Sequence, residues 1–352
     1  MDDYYNNYYL INCDLNFTVF STWQFLATAV HILSVFLVCV NLFGAYCILF
    51  KTPPKMERVK WVMFNVHFWS TSVDIMLNSI ITPYFFFPGI CGFPVGVFAH
   101  FGVNTGLQIF LGQSFVGILA VAILMMFENR HRTLVTGKWS LENRTIRIVY
   151  YAINYTYGVM FVFPVFMDIP EQEPALLYVL NNIVNCPTPE FFLGTVYVLT
   201  TDNTQLMAMI IIFLFAIVFQ CAFFIIHSLY FLLTRANSMS KRTLQLQKRF
   251  IMSVCIQVAN PVFVLVVPVV MFMYVISAGY YNQALNNITV ILISLHGITA
   301  TISLVLLNEP YRAFLLSILN KNRHKLSSKL AKSSQVFQLR SSMSFNERSV
   351  LY

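Results

Sequence analysis

A chain of 352 residues is long enough for one large soluble domain or two. Its composition excludes both: 58% of the residues are hydrophobic and 10% charged, whereas soluble domains carry about 25% charged residues. A net charge of +8 would suit nucleic acid in a soluble protein, but here its placement along the chain reads as topology, and no nucleic-acid partner is expected.

No Lys or Arg precedes Lys51, so the start of the chain lacks the basic n-region of a cleavable signal peptide. Residues 1–21 read as a polar N-terminal segment with Asp2, Asp3 and Asp14. A membrane span needs ~20 apolar residues to cross a core of ~30 Å. Windows free of charge place seven spans, at about 22–50, 60–83, 97–127, 148–167, 204–233, 250–277 and 285–308. The window from Ile75 to Phe127 is too long for one helix and is broken at Pro83, Pro88-Gly89 and Cys91-Gly92-Phe93-Pro94. The window from Phe250 to Asn308 holds two spans, parted near Ala278-Gly279 and Asn286-Asn287. The expected fold class is all-α, a membrane-embedded seven-transmembrane helix bundle covering residues 22–309. Residues 310–320 form a short amphipathic helix on the membrane surface, and residues 321–352, rich in Ser and Lys, a disordered tail.

Charge gives this bundle an orientation. Basic residues lie between spans one and two (Lys51, Lys55, Arg58, Lys60), three and four (Arg130, Arg132, Lys138, Arg144, Arg147), five and six (Arg235, Lys241, Arg242, Lys248, Arg249), and after span seven. All 22 fall on one side, while the other side carries Asp2, Asp3, Asp14, Asp168, Glu171, Glu173, Glu190 and Asp202. The positive-inside rule then predicts a cytoplasmic C-terminus and an external N-terminus. Asn16-Phe17-Thr18 on that external side is a glycosylation sequon at Asn16.

Span three is the expected centre of the bundle. Gly102, Gly106, Gln113 and Gly117 fall on one face within about 60°, a signature of close helix packing in a membrane. Asn104, Gln108 and Gly112 form a second stripe near the outer half. Asn104 and Gln108, with Asn260 and Tyr274 of span six, are candidate pocket residues or interhelical hydrogen-bond partners. Asp74 is the only acidic residue inside a span; a lone buried carboxylate is costly and faces the bundle interior, as an ion site or as a structural acceptor. Pro261 and Pro268 each remove a backbone hydrogen bond from span six and predict a kink. Glu128 and Arg132 stand at i,i+4 and are the expected ion pair at the inner end of span three. Cys13, Cys91 and Cys186 lie outside, where disulfides persist. Enzymatic signatures are missing: there is no His-Glu-x-x-His, Walker loop or Gly-x-Ser-x-Gly. No lysine lies in the interior of a span, so a retinal Schiff base is excluded, and neither cofactor nor metal is expected.

Phe127-Glu128-Asn129-Arg130 resembles the acid-arginine signature of G-protein-coupled receptors, with the acid displaced to two residues before Arg130. The wider set resembles nematode class H serpentine chemosensory receptors. It comprises Gly44 to Pro53, Met56, Lys60-Trp61, His67-Phe68-Trp69 with Asp74, and Pro83 to Pro88. It continues through Gln257 with Pro261 and Pro268, His296-Gly297, and Pro310-Tyr311-Arg312. The resemblance implies a G-protein-coupled chemoreceptor in the plasma membrane of a sensory cilium, with a small-molecule ligand, a heterotrimeric G protein and the lipid bilayer as partners. It implies coupling through Arg130, Glu128 and Arg132, helped by Lys241, Arg242, Lys248 and Arg249. It also implies a disulfide between Cys91 and Cys186, with Cys13 as the rival partner. Two alternatives stand beside this reading: a ligand-gated channel or transporter, and a receptor homologue that does not signal. A transporter would show two related halves, and none is visible.

Overall fold

A computed structural model describes residues 1–135, 141–192, 196–234 and 240–321; the side chains of residues 55, 58, 243, 246–251, 253–254, 257–258 and 260–262 fall outside that description. After an N-terminal helix α1 (residues 2–12) come α2 (Trp23–Phe50), α3 (Glu57–Ile75, prolonged by a π-helical turn Met76–Ile80) and a short α4 (Val97–His100). The chain continues through α5 (Thr105–Leu134), α6 (Arg144–Met160), α7 (Phe163–Phe166) and α8 (Gln172–Asn182). It then forms α9 (Asn203–Thr234), α10 (Lys241–Ala278), α11 (Gln283–Ser294), α12 (His296–Leu307) and a final helix α13 over 309–321.

Helices α2, α3, α5, α6, α9, α10 and the pair α11–α12 make a seven-helix bundle. Trp23–Phe50, Thr105–Leu134, Arg144–Phe166, Asn203–Thr234 and Gln283–Leu307 are each long and apolar enough to cross a membrane. Helix α10 adds the apolar stretch Phe263–Ala278. Helix α3 is more polar because it carries Lys60, Asn65, His67 and Asp74, which the bundle partly or fully covers. The outward faces present Val35, Phe36, Phe215, Phe219 and Ile226, an exposed apolar band suited to lipid chains. The chain is a multi-pass membrane protein.

Helix starts follow capping chemistry. The side chains of Thr22, Asn104, Asn143 and Asn282 each accept a first-turn N–H, from Phe25, Leu107, Thr145 and Ile146, and Leu285. This corrects the expected start of span three at Val97. Residues 97–103 are apolar and uncharged, so composition does not separate them from the helix. Gly102, at φ +66°, leaves the helical region there, and Asn104 caps a new start at Thr105. Gly102 therefore does not belong to the glycine face, and a side chain there would meet open space. Span two likewise ends earlier than the expected Pro83, its last turn opening at Met76–Ile80.

Between α3 and α4, and again before α9, the chain builds a small antiparallel sheet in the order β1 (Pro83–Phe85), β2 (Ile90–Pro94), β3 (Tyr197–Thr200). Tyr84 pairs with Phe93, and Cys91 with Val198. The sheet is a minor β addition to an otherwise helical fold. It caps one end of the bundle over a core of Leu26, Val30, Tyr84, Phe86, Val179 and Phe191. Helix α1 lies over the same end. Its Tyr4 and Tyr9 hydroxyls donate to the carbonyls of Asn185 and Pro187, each at 2.7 Å.

Helix α5 is central, packing on α3, α6 and α9. Its closest approach is to α6 at Gly117, where a Cβ would overlap the backbone carbonyl of Gly158. At the end opposite the sheet, α13 docks through buried Tyr311, whose hydroxyl lies 2.6 Å from Thr52 Oγ1. Lys51 Nζ sits 4.4 Å above the Phe314 ring.

Candidate functional site

Beneath the sheet lies a cavity of about 290 Å³, at the lower edge of the range of small-molecule sites. Helix α5 contributes Thr105, Gln108, Ile109 and Gln113 to its wall; α10 contributes Val269, Phe272, Met273 and Ile276. The sheet supplies Phe85, residues 90–94, Tyr197 and Leu199, and α9 supplies Leu206, Met207 and Ile210. No Asp, Glu, Lys, Arg or His lines it among the described residues. Burial pushes the Cys91 thiol and the Tyr197 phenol above their usual pKa values, so both stay uncharged. Gln108 is fully buried, and its Nε2 donates to the Val103 carbonyl at 2.8 Å. Gln113 Nε2 donates to the Val159 carbonyl at 3.1 Å.

Of the expected pocket residues whose side chains are described, the structure brings Gln108 alone to this wall. Asn104 is exposed and serves as the α5 cap, its side chain spent on the Leu107 N–H. Tyr274 is 69% exposed, because it stands on the outward face of α10, one residue beyond Met273, which lines the cavity. The Asn260 side chain lies outside the described residues. Gln113, expected as part of the packing face, is the residue that joins Gln108 instead.

A polar cluster fills the middle of the bundle. Asp74 is buried between α2, α3 and the α11–α12 junction; Asn41 Nδ2 donates to its Oδ2 at 3.2 Å, and His296 Nδ1 lies 2.9 Å from its Oδ1. Thr301 donates to Asn41 Oδ1 at 2.6 Å, and the His67 Nε2 lies 2.9 Å from the Asn41 carbonyl. Gly297 leaves room for the carboxylate, since a Cβ there would overlap it. Asp74 is thus held as a hydrogen-bonded carboxylate with the imidazole of His296 as its ionisable neighbour. Helix seven is divided at Leu295, between α11 and α12, and this break brings His296 to Asp74.

The far end of α5 carries the expected coupling residues. Glu128 does not pair with Arg132. It is 1% exposed, and Arg147 of α6 reaches its Oε2 at 3.1 Å through both Nε and Nη2. The Tyr151 hydroxyl donates to the same oxygen, and Arg147 Nη2 also donates to Asn129 Oδ1 at 3.3 Å. Arg132 points outward and is exposed, so an i,i+4 pair would leave the buried carboxylate behind. Arg130 is 7% exposed. Lys241 and Arg242 are exposed at the start of α10, while the side chains of Lys248 and Arg249 lie outside the described residues. His131 Nε2 and His227 Nδ1, 2.7 Å apart, tie α5 to α9; nothing in the one-dimensional pattern marked that pair. Helix α10 runs unbroken past Pro261 and Pro268; the Pro261 side chain is outside the description, and Pro268 is buried.

The disulfide joins Cys13 to Cys186, and Cys91 is a free thiol. The expected Cys91–Cys186 bridge fails because Cys91 is buried in the middle strand of the sheet, facing the cavity wall. Helix α1 meanwhile brings Cys13 to the loop after α8. Asn16 is exposed nearby.

Helices, charges and cavity now meet a matching family. Residues 21–321 match the serpentine type 7TM GPCR chemoreceptor Srh family. The chain belongs to that family. It is also similar to serpentine receptor class H-72 of Caenorhabditis elegans, with 25% identity over 334 residues that span 93% of this chain and 94% of the relative. The match covers all seven bundle helices, the sheet, and α13 up to Lys321. This serpentine chemoreceptor fold thus carries an uncharged cavity at one end and, at the other, the buried Glu128 carboxylate paired with half-buried Arg147.

Proposed function

We propose that the protein is a chemosensory G-protein-coupled receptor that binds a small molecule in the cavity beneath the sheet. In this reading the sheet end faces outward, and ligand occupancy is passed to a heterotrimeric G protein at the cytoplasmic end. The cavity is the observation that carries the reading: its described lining is apolar and uncharged, and it is built in part by α10. Helix α10 has 38 residues and reaches from the cavity wall at Ile276 to exposed Lys241 and Arg242, a distance of ~53 Å at 1.5 Å per residue. A ligand that favours one placement of Phe272 and Met273 over another therefore biases the far end of the same rod, and differential affinity for the two placements is the whole driving force.

Arg130 is the coupling residue in this scheme, uncovered when the far end of α10 moves from α5. Glu128 acts through Arg147, holding α5 to α6 while α10 moves. Arg132, Lys241, Arg242, Lys248 and Arg249 give the cytoplasmic face its positive field. The plasma membrane of a sensory cilium is the proposed site of action, as for a chemoreceptor that samples the outside.

Ligand-dependent G-protein activation in a heterologous cell tests the reading, with Arg130→Ala as control. The variant should reach the surface, bind ligand and fail to activate. Full signalling by Arg130→Ala removes the role assigned to Arg130. Attachment of glycan at Asn16 tests the orientation; a cytoplasmic Asn16 sinks the proposal and favours a channel.

A further inference from the structure

The cavity beneath the sheet is lined in part by polar residues, yet it shows a ligand almost none of their polar atoms. Gln108 and Gln113 each donate an amide N–H to a backbone carbonyl, of Val103 at 2.8 Å and of Val159 at 3.1 Å. The Oε1 of each is sealed inside the protein, out of reach of anything in the cavity. Both residues therefore give the wall carbon. The Tyr197 hydroxyl is set against Gly106 of α5, where a Cβ would come within 2.8 Å of it. The middle strand β2 pairs with β1 on one side and β3 on the other, so its amides and carbonyls lie in the plane of the sheet and not toward the cavity. What faces the space is aromatic and aliphatic carbon, with the thioether side chains of Met207 and Met273. Phe85 and Phe87, at the β1 end of the sheet, meet Phe272 of α10 there, with ring centroids 4.7 to 6.1 Å apart. A hydroxyl, amide or charge brought against such a wall gives up its hydrogen bonds to water and gains none.

We infer that the cavity selects a compact, uncharged molecule without hydrogen-bonding groups: an aromatic or branched hydrocarbon, or a thioether of the same shape. This rests on the reading that the cavity is the ligand site, and it names the chemical class of that ligand. The wall favours hydrocarbon surface, by removing apolar area from water and by close contact with rings and thioether sulfurs. An alcohol on the same skeleton carries in a hydroxyl that the wall does not meet. A carboxylate or an ammonium ion carries in a charge that no described lining residue answers. At ~30 Å³ for a water-sized group, the 290 Å³ volume admits about ten such groups, the size of a single ring with a short branch. Phe272 stands on α10 while Phe85 and Phe87 belong to the sheet end, so a molecule packed against all three bears on the joint between the sheet and α10.

The experiment uses the full-length receptor purified in lipid nanodiscs. Thermal stabilisation is measured with a panel of aromatic and branched skeletons of about seven to ten carbons, each as the hydrocarbon, the alcohol and the carboxylate. Apolar compounds also dissolve in the lipid, so binding is counted only where Met273→Trp, which fills the cavity from α10, removes it. The expected result is that at least one hydrocarbon stabilises the receptor and not Met273→Trp, that its alcohol binds at least about tenfold more weakly, and that its carboxylate does not bind. Met273→Gln, which sets an amide of similar length on the same wall, should raise the alcohol about tenfold relative to the hydrocarbon. Alcohols that bind as well as their hydrocarbons, carboxylates that bind, an alcohol-to-hydrocarbon ratio unchanged in Met273→Gln, or a panel with no binder sensitive to Met273→Trp would overturn the inference. If either variant does not fold, Leu206→Phe fills the cavity from α9, and Ile109→Asn brings an amide to it from α5. G-protein activation is measured separately. Hydrocarbon binding in the cavity, with agonist responses that survive in Met273→Trp, refutes the signalling role of the cavity and leaves the inference standing. Activation by an alcohol or a charged compound that Met273→Trp abolishes does the reverse.

Discussion

Arg147 of α6 reaches Glu128 of α5 at 3.1 Å, and the two residues lie eleven positions from Gly158 and Gly117, the pair at which the same helices touch. Eleven residues are three helical turns with about 20° to spare, so each helix presents its glycine and its charge on one face. The helices run antiparallel, so equal steps forward on α5 and backward on α6 from the glycine contact meet again. Contact at the glycines therefore sets the register that delivers Arg147 to Glu128. Small residues do this work in a bilayer because lipid chains give apolar helices no solvent-driven reason to associate.

Removing one member of that pair strands the other. Arg147→Met leaves the Glu128 carboxylate buried and unpaired, and a loss of about 3 kcal/mol is expected. Glu128→Gln/Arg147→Met should recover most of it, since the side chain at position 128 is then neutral and the Tyr151 hydroxyl can still donate to it. Arg132→Ala should change stability by less than about 0.5 kcal/mol. Thermal melting of the unaltered protein, Glu128→Gln, Arg147→Met and the double variant, read as a double-mutant cycle with Arg132→Ala beside it, checks this; a cost for Arg132→Ala equal to that of Arg147→Met would restore the i,i+4 pair.

Gly117→Ala should be more harmful than most alanine substitutions in a helix. The added Cβ overlaps the backbone oxygen of Gly158, and backbone cannot rotate away as a side chain can. Overpacking of this kind costs about 1–3 kcal/mol and here also shifts the register. Gly279→Ala is the informative contrast. It meets no atom but stands at φ +63°, so its cost is conformational and local. Surface expression and melting should fall in Gly117→Ala, and G-protein activation with them. In Gly279→Ala melting alone should fall, by about 1 kcal/mol.

The spans were legible because each reports itself along the chain: charge-free windows bounded by basic or proline-rich breaks coincide with helices such as Trp23–Phe50 and Asn203–Thr234. Of the expected glycine face of α5, Gly117 meets a neighbouring helix at Gly158, whereas Gly102 leaves the helix and Gln113 turns to the cavity wall. Three features were not legible. The start of α5 depends on the backbone angle of Gly102, which the apolar run from Val97 conceals. The small sheet uses strands of three to five residues, too short for an alternating pattern to stand out. The sequence sets Arg132 at i,i+4 from Glu128, and only the packing of α6 brings Arg147 to the carboxylate. Tyr274 shows the same limit inside the cavity. It is one residue from Met273, and that single step turns it to the outer surface.

The cysteines carry a prediction of their own. Cys13→Ser and Cys186→Ser should have equal effects, each opening a loop of 173 residues and releasing α1 from the sheet end. The expected loss is about 2–5 kcal/mol. Cys91→Ser should leave the Cys13–Cys186 peptide intact in a non-reducing digest, because its thiol is free. Finding Cys91 in a disulfide-linked peptide would return the bridge to its more familiar place.

Gly297 offers a test of the central cluster that does not depend on signalling. A Cβ at this position overlaps the Asp74 carboxylate, so Gly297→Ala must push Asp74 from Asn41 and His296 or spread α12 from α3. Either way a buried carboxylate loses partners, and about 2–4 kcal/mol of stability should go with it. Asp74→Ala empties that space. The two changes should then be strongly non-additive, with Gly297→Ala costing little in the Asp74→Ala background. Melting of the single and double variants measures the coupling. If Gly297→Ala costs as much without the carboxylate as with it, the helix packing at α12 rather than Asp74 is what requires the glycine.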